Sequence, residues 1–317
     1  MKPFRHSKPM SAMLLGALSC AAFAMASDKP LPPDAAPAPS AKPPVPLLWK
    51  VSDADNSVYL LGSFHLLKPD DYPLSKDVEA AFDDAESLLF ELPPDALTDP
   101  SVAGKFVAAA GYADGRDLKQ VLPPATYAAL DALNAAAGGA AALRAQEPWF
   151  ISMAFSVGIA QQLGFKPELG IDQHLMQRAA AANKPAAGLE TVDVQLAALD
   201  STPMEEQVAS LKEFIDDPRK SVADLQELHR QWRGGDVAGL NRTMREEMIE
   251  KTPRSYRIID VARNDAWLPK LESRLSKSSS DDTLVVVGAL HLLGPDGLVE
   301  RLRAKGYKVE RICSACK

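Results

Sequence analysis

Two stretches of the chain repeat one another: VYLLGSFHLLKPD at residues 58–70 and LVVVGALHLLGPD at residues 284–296. From the glycine onward, six of nine positions coincide, and each copy runs from an apolar strand through Gly-x-x-His into a proline-containing turn. Each then continues through an amphipathic segment to a second apolar strand, SLLFEL in the first copy and YKVERI in the second. A buried strand gains nothing from ending in an imidazole, and here two strands do so, which marks His65 and His291 as candidates for acid/base or ligand chemistry. Gly62 and Gly288 would let the backbone approach a ligand or a neighbouring strand closely. The pattern reads as an internal duplication on a roughly two-fold plan.

Two further strand candidates end in a carboxylate. Glu91 follows Ser87 to Phe90, and Leu92-Pro93-Pro94 stops any continuation of that strand. Glu190 follows Ala186 to Leu189 and precedes a helical stretch starting near Val192, where it could equally cap the helix. Two imidazoles and two carboxylates at four strand ends suggest one polar cluster in a common mouth. Such a set could ligate a divalent transition metal that lowers the pKa of bound water and polarises a carbonyl. It could also act directly, a His beside a Glu serving as general base toward water. The residues leave both routes open, and no His-Glu-x-x-His helix is present.

Arg263 lies in a segment, Ile258 to Leu268, with helical spacing of apolar residues. From there its guanidinium could hold a carboxylate or face an oxyanion, or merely form a surface ion pair. Asp172 opens a helix and reads first as a cap, second as support for the site. His174 and His229 have no repeated counterpart and read as structural or solvated. Glu205-Glu206 and Asp216-Asp217 read as solvated charge.

The elements that must position these residues divide clearly. Leu47 to Val51 and Val58 to Leu61 flank the polar turn Asp53 to Asn56 and read as a hairpin. Leu284 to Val287 and Tyr307 to Ile312 supply strands from the other end of the chain. Between residues 100 and 275 the spacing is helical, over Pro124 to Ala137, Trp149 to Leu163, Ile171 to Asn183, Met204 to Ile215 and Val222 to Trp232. The stripe Leu225, Leu228 and Trp232 reads as core. The fold class is therefore α/β, a central mixed sheet built from N- and C-terminal segments around a helical middle insertion.

Composition limits the function. Of 317 residues, 46% are hydrophobic, and 35 Lys and Arg stand against 42 Asp and Glu, a formal charge of -7. That sign opposes binding to a phosphate backbone, so no nucleic acid is expected. Lys2, Arg5 and Lys8, the apolar residues 14–26 and Ala24-Met25-Ala26 read as a secretory signal cleaved after Ala26. A lipoprotein anchored through Cys20 is the minor alternative, since Ala17-Leu18 fit a lipidation box poorly. Losing the three basic residues takes the charge from -7 to -10. Residues 27–46 hold eight prolines in twenty positions and read as a solvated linker outside the fold. Residues 47–317 read as one domain, with no later transmembrane segment. Cys313 and Cys316 read as a small structural disulfide in an oxidising compartment, because no following helix would activate a thiolate. The destination is periplasmic or secreted.

Six motifs taken in order resemble the TraB/PrgY/GumN family, which includes the Tiki proteins and is related to the erythromycin-esterase and ChaN-like fold group. They are LLGSFHLL, LLFELPP, LGIDQHL, GLETVDVQLAAL, VARNDAW and VVVGALHLL, spread over nearly all of residues 47–317. The resemblance implies that His65, His291, Glu91 and Glu190 line an active site, completed by Arg263 and Asn264, with Gly62, Asp172 and Gly288 secondary. Tiki-like members imply metal-dependent proteolysis with manganese or cobalt, and zinc would suit the same donors. Erythromycin-esterase relatives imply metal-free hydrolysis by His and Glu. The expected function is metal-dependent hydrolysis of a peptide or amide bond in a peptide or small-molecule substrate. The alternatives are an envelope protein that binds peptide, metal or haem without turnover, and an interaction partner in exopolysaccharide export.

Overall fold

In a computed structural model the described residues are 42–136, 141–276 and 280–316. The signal segment, Cys20 and the linker as far as residue 41 lie outside them. Six strands form one sheet: β1 (Leu48–Ser52), β2 (Ser57–Ser63), β3 (Ser87–Phe90), β4 (Ala186–Gly188), β5 (Thr283–Gly288) and β6 (Lys308–Arg311), in the order β4-β3-β5-β2-β1-β6. Among the described residues the helices of seven or more residues are α1 (Lys76–Asp84), α2 (Ser101–Ala109), α3 (Pro124–Ala136), α4 (Pro148–Gln162), α5 (Ile171–Ala181), α6 (Val192–Asp200), α7 (Met204–Asp216), α8 (Pro218–Arg233), α9 (Ala262–Leu275) and α10 (Leu298–Ala304). The mixed sheet and helical middle match the α/β expectation.

The duplicated strands are neighbours at the centre of the sheet. β2 and β5 run parallel, with Gly62 opposite Val287 and Ser63 opposite Gly288. Every residue of both strands is buried, as expected for largely apolar parallel strands covered on both faces. From β2 the chain crosses beyond β5 to reach β3, whereas from β5 it crosses beyond β2 and β1 to reach β6. The two copies therefore leave the centre in opposite directions, which is the two-fold plan of the sequence realised as a topological switch point. Crevices at such points, outside the carboxyl ends of the strands, are where α/β sheets bind ligands. β3 and β4 complete the parallel half, pairing Phe90 with Gly188, and so bring Glu91 and Glu190 to the same edge.

At the outer side, the predicted hairpin pairs β1 with β2, and Asp53 Oδ1 accepts from the Asp55 and Asn56 amides of its turn at 3.2 Å each. β6 closes that edge with exposed Lys308 and Glu310, charged side chains that discourage further strand pairing.

Two expectations change here. The proline-rich segment is not wholly outside the fold: Pro44 and Pro46 are buried, and the Val45 amide donates to Arg233 O at 2.9 Å. Arg311 Nη2 donates to Pro46 O at 2.6 Å, so the segment packs between α8 and the β6 edge. Prolines lack only their own N–H, and their carbonyls still accept. Glu206 is likewise buried rather than solvated. Its Oε2 accepts from the Ser255 amide at 2.8 Å and from Ser255 Oγ at 2.6 Å, which satisfies the start of the short helix Pro253–Tyr256.

The helical middle reaches the switch point at two places. Trp232, on the α8 core stripe, donates Nε1–H to Gly62 O at 3.1 Å, and the preceding turn of α8 places His229 against buried Asp71 at 2.9 Å. His229 is thus structural, as read. At the start of α5, the Ile171 amide donates to Phe64 O, and Gly170 lies directly on the His65 peptide. A Cβ on Gly170 would overlap the His65 carbonyl oxygen, so only glycine permits this approach. Gly170→Ala is expected to lower unfolding stability by about 1–3 kcal/mol through overpacking. Urea denaturation reads this directly, and an unchanged midpoint would show that the contact is not tight.

Candidate active site

The four strand-end residues converge. His65, Glu91, Glu190 and His291 are 5%, 3%, 8% and 1% exposed, and Arg263, at 5%, sits among them. The sequence reading of one polar cluster is what the geometry shows.

Arg263 owes its place to the chain just before it. The helical spacing predicted over Ile258 to Leu268 is interrupted by a π-helical turn, Arg257–Val261, before α9 begins at Ala262. Such wide turns reorient the side chains that follow and often occur at functional sites. All five guanidinium N–H groups then have acceptors. Nε donates to Glu190 Oε1 at 3.0 Å, and Nη2 donates to Glu190 Oε1 at 2.7 Å and Glu91 Oε2 at 2.6 Å. Nη1 donates to Ile259 O at 3.3 Å and to His291 Nε2 at 3.1 Å. The surface-pair alternative for Arg263 is set aside by this burial. Of the two functional roles, the geometry is that of holding carboxylates; no donor remains for an oxyanion.

The carboxylates are saturated in turn. Glu91 Oε1 accepts from the Gly288 amide at 2.7 Å, and its Oε2 accepts from Gln195 Nε2 at 3.1 Å as well as from Arg263. Gly288 makes this possible, because a Cβ there would crowd His65 Nε2 and Glu91 Oε1, at 3.1 and 3.2 Å. Gly62 serves close packing instead, against Leu47. Glu190 Oε2 accepts from Trp267 Nε1 at 3.0 Å, so Glu190 does not cap α6; Thr191 does, accepting from Val194 N. Burial opposes ionisation of Glu91, but the charge of Arg263, helped by the neighbouring imidazoles and by the Gly288 amide, outweighs it and holds the carboxyl well below the usual range.

Each imidazole is anchored through Nδ1. His65 Nδ1 lies 2.8 Å from Asp172 Oδ2, and Ser63 Oγ donates to Asp172 Oδ1 at 3.1 Å. This corrects the capping reading of Asp172: α5 starts against the His65 peptide, which turns the carboxylate toward the imidazole rather than toward the helix amides. Burial lowers the proton affinity of His65, but the charge and hydrogen bond of Asp172, with Glu91, reverse that and leave its pKa above the ordinary value. His291 Nδ1 donates to Asn264 Oδ1 at 2.9 Å, with the buried Asp260 Oδ1 3.0 Å away as a charge contact. Because Arg263 must donate to Nε2, the hydrogen-bond network assigns the His291 proton to Nδ1. The Trp267 ring packs on His291 with centroids 4.5 Å apart. Each Nε2 faces Glu91 Oε1, His65 at 4.0 Å and His291 at 3.9 Å.

Anchored imidazoles of this kind also occur at metal centres. The donor set here does not fit a divalent cation. Arg263 already takes a lone pair from Glu91, Glu190 and His291, and its charge lies against three of the four expected ligands. Among the described residues, no group of three His, Cys, Asp or Glu is spaced to share a metal ion. Three of the four residues expected to bind Mn, Co or Zn, Glu91, Glu190 and His291, are here arranged around a guanidinium.

Ser63, Gln195, Asp260 and Trp267 were not singled out from sequence. Asp260 and Trp267 were accessible in principle, three residues before and four after Arg263 on one helical path. Gln195 carries no such signal. Away from the site, Cys313 and Cys316 form the expected disulfide, and Ser314 between them donates to Asp77 at the start of α1.

Removing Arg263 would leave two buried carboxylates uncompensated. Arg263→Met is expected to lose about 3–5 kcal/mol in denaturant unfolding at neutral pH. The deficit should shrink toward acid, as the stranded carboxyls take up protons in the variant. In the parent protein the sign is opposite: the Glu91 contribution is complete above its ordinary value of 4.5 and is lost as pH falls through its lower folded value. A deficit independent of pH would contradict the charge assignment.

Comparison with known proteins agrees with the motif order. Among curated proteins the chain is similar to the uncharacterized protein YbaP of Escherichia coli K12, 26% identical over 246 residues, which is 77% of this chain and 87% of that protein. The same figures hold for YbaP of Shigella flexneri. No solved structure matches the chain. The match to the TraB/PrgY/gumN family runs over residues 47–311 and takes in every residue of the cluster, so the chain belongs to that family.

Proposed function

We propose that the protein is a hydrolase of peptide or amide bonds in the cell envelope, using His65 as general base without a resident metal. One observation carries the reading: an imidazole oriented by a carboxylate, Asp172–His65, stands beside a fixed guanidinium–carboxylate array at the switch point of the sheet. Family membership is compatible with several activities and does not choose among them.

The division of labour follows from the pKa directions. Glu91 is held too acidic to take a proton from water, and Arg263 is held more firmly charged than usual by the two glutamates despite its burial. Neither can move a proton near neutral pH. His65 can, and with Nδ1–H committed to Asp172 its Nε2 is the basic atom. The 4.0 Å between that atom and Glu91 Oε1 is too long for a direct hydrogen bond and lets one water oxygen reach both. Arg263 then acts as a positioning residue, fixing Glu91, Glu190 and His291. The basic N-terminal start, the apolar run after it and the Cys313–Cys316 disulfide support a periplasmic or secreted location.

A panel of fluorogenic peptide and amide substrates, assayed in chelator-treated buffer, tests this. Turnover is expected without added metal, and its rate should rise with pH through a midpoint above the ordinary imidazole value of 6.5. Asp172→Asn should move that midpoint down and reduce the rate by about 10⁴-fold, by analogy with triad aspartates. His65→Ala should be folded and inactive. Turnover that vanishes on chelation and returns with manganese or cobalt would overturn the metal-free reading. A stable His65→Ala protein that binds but never cleaves, like its parent, would mark a binding module.

A further inference from the structure

The segments that carry Glu91 and Glu190 away from the sheet meet at their start, where the Glu190 amide donates to Glu91 O at 3.0 Å, and part beyond it. Between them lies a cleft of about 470 Å³, bounded by the turn that follows β3, by Lys105 on α2 and by the start of α6. Its size is that of a small-ligand site, and its place, just outside the carboxyl ends of β3 and β4, is where such sheets receive ligands. Pro93, at its wall, stands two residues beyond Glu91, and Val192 stands two residues beyond Glu190. The cleft is therefore lined by the residues that directly follow Glu91 and Glu190 in the chain.

The lining chooses the ligand. Pro93, Ala96 and Val192 give it short apolar walls, and Asp95, Asp99 and Asp193 give it three carboxylates against the single ammonium of Lys105. That ammonium is engaged across the cleft with Asp193 at 3.0 Å. Asp99 Oδ1 accepts from the Ser101 amide at 2.8 Å, which leaves its charge exposed to the cleft. A cationic head on an apolar stem suits these walls, whereas an anion would meet excess negative charge.

We propose that this cleft is a subsite for a lysine or arginine side chain of a peptide substrate, with the Lys105–Asp193 pair as a strap that an incoming cation competes with. The proposal rests on the hydrolase reading for its purpose. Its test does not require turnover.

The probes are three capped tripeptides, acetyl-Ala-X-Ala-amide with X as lysine, norleucine or glutamate, titrated into the isotope-labelled full chain and followed by amide shifts. The lysine peptide is expected to shift residues 93–99, 105 and 191–193 at concentrations where the other two do not, and to lose affinity as salt rises. Asp95→Asn and Asp99→Asn should each weaken it about two- to fivefold, the range of an exposed ion pair. Lys105→Met, which frees Asp193, should strengthen it by a similar factor. Amide spectra of the variants, unchanged elsewhere, control for folding. Equal binding of the three peptides, shifts outside the cleft, or lysine-peptide affinity indifferent to these substitutions would overturn the proposal. Lysine-selective binding with no cleavage of any substrate would sink the hydrolase reading and leave the subsite standing. Cleavage without lysine preference would do the reverse.

Discussion

The structure turns on a single buried cation. Arg263 has no N–H left over, and every acceptor it meets comes from a different part of the chain: a strand end, a second strand end, a π-helical carbonyl and an imidazole. A guanidinium is the side chain suited to this, because its five donors are planar and fixed and it stays charged under all ordinary conditions. Charges taken out of water cost several kcal/mol each, and a buried pair seldom stabilises beyond what apolar packing would give. The arrangement is therefore better explained by the geometry it enforces than by stability.

That geometry separates roles among residues that look alike in sequence. Glu91 and Glu190 are the same residue type at equivalent strand ends, and Arg263 holds both. His65 and His291 are copies of one motif, yet they differ in what holds them. His65 is oriented by the carboxylate Asp172, which favours its protonated form, whereas His291 accepts a hydrogen bond from Arg263 and is held through Asn264. The duplication supplied two equivalent imidazoles, and the partners on α5 and α9 made them unequal. One is held by a carboxylate and the other by a guanidinium and an amide.

How much of this could be read beforehand follows a physical pattern. The central strands were legible because an apolar run that stops at Gly-x-x-His is distinctive and occurs twice, and Glu91 was legible because Pro93-Pro94 forbids the strand from continuing past it. Convergence followed from the rule that parallel strand ends share one edge. What could not be read were properties set by partners remote in sequence. Asp172 opens a helix and so looked like a cap, but the Gly170 contact with the His65 peptide, 105 residues away, turns it elsewhere. Glu206 looked solvated because nothing local announces Ser255. Pro44 and Pro46 looked like linker because composition does not register their carbonyl partners. Donor types alone, likewise, do not reveal that a guanidinium contacts Glu91, Glu190 and His291.

The most direct measurement of the central interaction is the tautomer of His291 in long-range ¹H–¹⁵N correlation spectra of the folded protein. Donation from Arg263 predicts a ring protonated at Nδ1 with Nε2 as a bare acceptor, and a signal pattern that changes in the absence of the guanidinium. A ring protonated at Nε2 would mean that Arg263 does not reach it, and the array described here would not exist.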